Sequence, residues 1–181
     1  MKYIQALLLM FLCSLSLRAQ EFKPPAKGMS VIYFVRMQAG ALSMADFYFF
    51  DTDKLIGYFH GAKYLRYECA PGEHMFWARS ENRDFITANL LKDKIYLIEA
   101  VPVLGAMKDG VQFDFLDMND SVIRERLKKI LAKEPVTLTD EKRQKKSEEL
   151  KDPIAKGLAK YKEEVAAGKK MLRIEKEMFI K

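Results

Sequence analysis

Up to about residue 118 the apolar positions fall in short alternating or continuous runs; beyond it they recur every three or four residues. Ser30–Met37 is β-branched and aromatic throughout and predicts a buried strand. Gln38 to Met44 holds Gly40 and small residues and reads as a loop. Ala45–Phe50 predicts a second strand, and Leu55–Phe59 its hairpin partner across Asp51-Thr52-Asp53-Lys54. Short carboxylate side chains favour such turns by bonding the backbone ahead of them. Lys63–Cys69 sets Tyr64, Arg66 and Glu68 against Leu65, Tyr67 and Cys69, a strand period. After the Pro71-Gly72 turn, His74–Ser80 predicts another strand, ended by the polar turn Glu81 to Asp84. Phe85–Leu91 and Ile95–Val101 flank Lys92-Asp93-Lys94 as a further hairpin, with Pro102 ending the strand. Gly105 and Gly110 bracket a loop, and Val111–Met118 is the last strand. Seven to eight short strands with regular turn signals predict an antiparallel β-sandwich or barrel.

The period then becomes helical. Asn119, Asp120 and Ser121 all make good N-caps. Val122, Ile123, Leu127, Ile130 and Leu131 share one helical face, which predicts a helix packed on the strands and ended by Pro135. Thr139-Asp140-Glu141 opens a second, very polar helix. Asp152-Pro153 reads as an N-cap followed by Pro at the first helical position. The stripe Leu150, Ile154, Leu158, Tyr161 and Val165 then runs to a stop at Gly168, and Met171, Ile174 and Met178 continue a weaker helical spacing. The fold class expected is therefore mainly β, a sandwich followed by two to three C-terminal helices.

The N-terminus sets the expected address. Lys2 precedes an apolar run from Ile4 to Leu17, and Leu17-Arg18-Ala19 offers a small residue before Gln20 and Glu21. That is the layout of a secretory signal peptide over residues 1–20. The run is shorter than the roughly 18 apolar residues a spanning helix needs. Cys13 follows bulky Leu12, a context that disfavours lipidation and favours a released protein. Residues 21–29, with Pro24-Pro25, form a linker. Residues 30–118 form the β domain and residues 119–181 a helical extension. Once the signal is removed, Cys69 is the sole cysteine, and its apolar neighbours predict a buried thiol.

Charge is divided between these parts. Residues 21–118 carry 11 Lys and Arg against 13 Asp and Glu, and residues 119–181 carry 18 against 12. The basic third reads as solvated helical surface, because Lys and Glu are interspersed there. Other readings of it are an anionic-surface binder or a helix for a protein partner. Met171 to Lys181 approaches a membrane-surface pattern through Met171, Leu172, Ile174, Met178 and Phe179, weakened by Glu175 and Glu177. No nucleic-acid module is present.

The hairpin motifs carry a resemblance. Phe50-Asp51-Thr52-Asp53-Lys54-Leu55-Ile56-Gly57 resembles the "strand, Asp-Gly-Lys, strand, Gly" hairpin of PEGA-type domains. Tyr64 to Cys69, followed by Ala70-Pro71-Gly72-Glu73-His74, resembles the strand leading into their Pro-Gly-Glu-His turn. Lys92-Asp93-Lys94-Ile95-Tyr96-Leu97 resembles their later Gly-Lys-Thr-Tyr-Tyr hairpin. The chain departs from that pattern at Thr52 and Asp53, and at Asp93 where the family usually has Gly. The resemblance covers about Ser30 to Leu131 and extends to an uncharacterised family of exported bacterial domains. It implies a small β-sandwich of the bacterial envelope, with no agreed activity and no cofactor.

No candidate constellation carries a reaction. His60, His74, Cys69 and Glu73 match no zinc-ligand spacing. Asp51, Asp53, Glu68 and Glu73 contain the residue types of a glycosidase pair, but Asp51 and Asp53 are turn residues. Ser80 and Ser121 lack a Gly-x-Ser-x-Gly context. Asp51-Thr52-Asp53 lacks the remaining acidic and glycine positions of a calcium loop. Tyr48, Tyr58, Tyr64, Tyr67, Phe76 and Trp77 read as core, or as a sugar-stacking or partner surface if exposed. The sequence assigns no catalytic, cofactor-binding or metal residue. It points to a non-enzymatic exported protein that binds or scaffolds an envelope protein or glycan. The alternatives are a hydrolase of envelope glycans or peptides and a peripheral membrane binder.

Overall fold

A computed structural model describes residues 22–38, 44–104 and 109–180. The signal-peptide and Cys13 assignments, most of the loop containing Gly40, and Gly105 lie outside these residues. Nine strands and three helices are present among them: β1 Ser30–Arg36, β2 Phe47–Asp51, β3 Lys54–Phe59, β4 Lys63–Cys69, β5 Gly72–Arg79, β6 Arg83–Leu90, β7 Ile95–Leu104, β8 Asp109–Asp114, α1 Ser121–Leu131, α2 Asp140–Glu149, α3 Lys151–Ala166 and β9 Leu172–Ile174. They form two sheets, ordered β4-β1-β7-β8 and β3-β2-β5-β6-β9. The mainly β class with C-terminal helices is as the sequence indicates.

The two sheets share one apolar core. Phe34 of β1 lies 5.4 Å from the rings of both Phe49 on β2 and Phe76 on β5. The other face of β1 presents Val31, Tyr33 and Val35 to Leu127 and Ile130 of α1. Both faces of β1 are covered, which is why its run is apolar without alternation. Asp120 caps α1 by accepting from the N–H groups of Val122 and Ile123. Val122 itself is exposed; the buried contacts come from Leu127 and Ile130.

Several expectations are corrected. The sheets are not wholly antiparallel, because β1 pairs parallel with β7, and β6 parallel with β9. Lys92-Asp93-Lys94 does not close a hairpin: there the chain leaves one sheet for the other, as it also does at the Pro71-Gly72 turn. Pro102 does not end β7, which runs through it to Leu104. Val111, opposite Pro102, turns both backbone polar groups toward Asn82, so Pro102 faces β8 at a position where no N–H is needed. Residues 171–178 are not helical; Leu172–Ile174 is the strand β9. Asp152 and Pro153 lie inside the first turn of α3, where backbone N–H groups lack intrahelical acceptors anyway. Along α3, Ile154, Gly157 and Tyr161 meet the sheet, while Val165 is exposed. A Cβ on Gly157 would stand 2.4 Å from the Trp77 ring, so glycine lets α3 approach the indole.

Sheet edges are closed by side chains and loops. On β3, the register shift opposite Phe49 and Phe50 leaves two successive carbonyls, Leu55 and Ile56, accepting from Arg143 of α2 at 3.1 and 2.7 Å. The Val136 N–H caps Tyr64 O on β4. Along β8, Asn82 bonds both polar groups of Val111, and Asp84 accepts the Phe113 N–H at 2.7 Å. Such closure removes templates for intermolecular strand pairing.

Candidate functional site

Three polar constellations surround the five-stranded sheet. The first plugs the end of the inter-sheet core where β4 passes into β5. His74 Nδ1 lies 3.1 Å from Asp51 Oδ2 and its Nε2 lies 2.9 Å from Ala70 O. Tyr67 donates its hydroxyl to the same Asp51 oxygen at 3.1 Å. The imidazole stacks on Phe76 at 5.1 Å, and the His74 and Asp51 side chains are only 13% and 15% exposed. Both ring nitrogens face acceptors, so the geometry suits an imidazolium. The Asp51 hydrogen bond first, and then Cys69, push His74 up to about 10. Burial first, and the Asp51 carboxylate second, push the Tyr67 phenol upward as well. A histidine that keeps both protons at neutral pH is not a general base. This cluster pins the crossing between sheets.

The second constellation is a cleft of about 240 Å³ between β6, β8 and the segment joining α3 to β9. Asp84, Asp114, Glu164, Lys169 and Gln112 line it beside Phe85 and Phe113. Burial raises the Asp84 carboxyl, and the N–H groups of Phe113 and Phe85 partly offset this. Glu164, 14% exposed, is paired with Lys169 at 2.8 Å.

The third lies on the outer face of the sheet. Tyr58, Tyr48, Arg79 and Arg83 are successive register partners across β3, β2, β5 and β6. Directly paired residues share a face, so these four form one row. Tyr48 and Tyr58 stack at 5.1 Å. The Arg79 guanidinium stands 5.8 Å over Tyr48, and Lys146 of α2 stands 5.7 Å over Tyr58. The neighbouring row, Phe50, Trp77 and Phe85, is apolar and lies under Leu150, Ile154 and Tyr161. The basic row begins where that apolar packing ends. Among the described residues no carboxylate pairs with Arg79 or Arg83. Arg83 Nε is buried without a hydrogen-bond partner, and burial first and Arg79 second pull this guanidinium below its usual range.

Of the candidates read from sequence, Asp51, Cys69 and His74 come together and the others are dispersed. His60 pairs with Asp46 at 3.2 Å and His74 with Asp51. Glu73 pairs with Arg173 and Glu68 with Arg66. Among the described residues no group of three or more His, Cys, Asp or Glu is placed to hold a metal ion. Asp53 is exposed in its turn, and Ser121 opens α1. Cys69 is free and buried. Trp77, Phe76 and Tyr64 are core, with Trp77 Nε1 donating to Thr52 O at 2.7 Å. Tyr48 and Tyr58 remain partly exposed, but cations and the ring stack occupy faces a sugar would need. Sequence reasoning missed Arg79, Arg83, Asp84 and Glu164. For the arginines a signal exists: Arg79 and Arg83 stand symmetrically about Ser80-Glu81-Asn82, so a hairpin there must pair them. Comparison with family models, with curated proteins and with solved structures finds no match.

Proposed function

We propose that this chain is a non-enzymatic, exported binding module of the bacterial envelope, a PEGA-like β-sandwich that contacts its partner through the outer face of the five-stranded sheet. One observation carries this reading: a registered row of two tyrosines and two arginines, partly exposed at the margin of the helical cover, whose arginines have no carboxylate partner among the described residues. Buried or half-buried guanidiniums ordinarily find acceptors within their own fold. The N-terminal signal pattern supports the address, and the Asp51 to Lys54 hairpin and the Pro-Gly-Glu-His motif support the family. The test compares capture from a bacterial envelope fraction by the wild type and by Tyr58→Ala and Arg79→Gln. Row-dependent capture is the expected result. Equal capture by all three proteins overturns the reading.

A second reading, a hydrolase acting on envelope glycans or peptides, rests on the cleft. There burial raises Asp84 while Lys169 accompanies Glu164, a difference in environment that separates an acid from a base. Turnover of an envelope glycan abolished by Asp84→Asn would favour it.

A further inference from the structure

We propose that Arg79 and Arg83 form an oxyanion site that takes a phosphate, sulfate or carboxylate group of the ligand. This deepens the binding reading above and rests on it for the identity of the surface. The two arginines are direct register partners at the end of the β5–β6 hairpin, on one face of the sheet. Cross-strand partners of like charge repel, and nothing in the sheet requires both to be basic. Neither guanidinium forms an ion pair among the described residues, although Arg66, Arg143 and Arg173 each find one. Arg83 Nε is shielded from water with its donor unused. Arg79 is steadied by the face of Tyr48, itself backed by Tyr58. Two planar donor forks, one held on an aromatic platform, match an acceptor with two or three oxygens. An oxyanion held between the two guanidiniums would supply the missing counter-charge and remove the repulsion together.

The experiment uses the ¹⁵N-labelled full chain, titrated with sodium phosphate against sodium chloride at matched ionic strength. The Arg83 Nε–H signal, identified by its loss in Arg83→Gln, should shift saturably with phosphate and not with chloride. Phosphate should raise the Tm of the wild type. Arg79→Gln and Arg83→Gln should each weaken phosphate binding about tenfold or more, the loss expected for a charge-assisted contact. Arg83→Gln should fold at least as well as the wild type in chloride, because it removes a repulsion. A phosphate response no larger than that of chloride, or one that survives both substitutions, overturns the site. A parallel arm uses phosphatidylglycerol–phosphatidylcholine vesicles. Retention lost in both variants identifies a lipid headgroup as the oxyanion source. Phosphate binding without retention identifies a soluble ligand, and both results support the site. If phosphate binds while envelope capture ignores the row, the binding reading fails and the site stands. If capture depends on Tyr58 while phosphate does not bind, the reverse holds.

Discussion

Strand β5 carries two polar clusters, one on each face, and they are built on opposite terms. Near its start His74 turns inward, where Asp51 and Ala70 O receive both ring N–H groups and Tyr67 completes the carboxylate. At its end Arg79 turns outward beside Arg83, and neither has a counter-charge among the described residues. In a partly desolvated setting an unmade hydrogen bond to a charged group is costly, whereas a completed network holds position. The inner cluster therefore stabilises the crossing between sheets, and the outer pair leaves such stabilisation unmade among the described residues. Histidine, aspartate and cysteine side by side would ordinarily attract attention as chemistry; here the plainer arginines do.

That contrast can be broken by measurement. The largest effect is expected from Asp51→Ala, which strands the His74 imidazolium and the Tyr67 hydroxyl. Urea unfolding at pH 7 should show a loss of about 2–4 kcal/mol, and a loss below about 0.5 kcal/mol would mean the inner cluster is not structural. Next comes pH. The His74 value is raised from 6.5 to about 10, so between these values the folded chain holds a proton that the unfolded chain has released. Stability from this group is complete below about pH 6.5 and is lost as pH rises toward 10. Unfolding curves across that window should show the decline, and Asp51→Ala should flatten it. Asn82→Ala, which frees both backbone groups of Val111, should lower stability by about 1–2 kcal/mol. The smallest effect, and the one of opposite sign, belongs to Arg83→Gln: in chloride it should leave thermal stability within about 0.5 kcal/mol or raise it. A loss of several kcal/mol there would place Arg83 with the inner cluster and erase the distinction.

Local rules made much of the fold legible. Strand positions follow from β-branched and aromatic runs. Asp120 and Thr139 serve as helix caps, and Gly168 takes the left-handed conformation at the end of α3. Thr52 and Asp93 also adopt positive φ, which neither residue type signals in the sequence. There Asp93 is held by backbone contacts to Met29 and Gly28. Sheet membership was not legible. Turn chemistry at Pro71-Gly72 dictates a reversal of direction but is silent on which sheet receives the next strand. The three residues of β9 sit in a polar context too short for periodicity to separate strand from helix. In the site, the residue types were visible but their grouping was not. Asp51 and His74 meet across two sequence segments, while His60 and Glu73 pair elsewhere. The arginine pair follows from hairpin symmetry alone, yet its lack of partners is a property of the assembled surface.

The edge of β6 has a consequence in time. Its partner β9 lies beyond all three helices in sequence, and Ile174 is buried when it arrives. Nearby, Tyr96 donates to Lys176 O and the Ile180 N–H reaches Ile95 O, so the same distant segment also ties down β7. Closing so long a loop is slow relative to forming the β5–β6 hairpin. During folding, β6 must therefore stand for a while with its backbone unpaired, a transient template for another chain. Rapid docking of α3, through Gly157 against Trp77, brings β9 within reach and sets how long that exposure lasts.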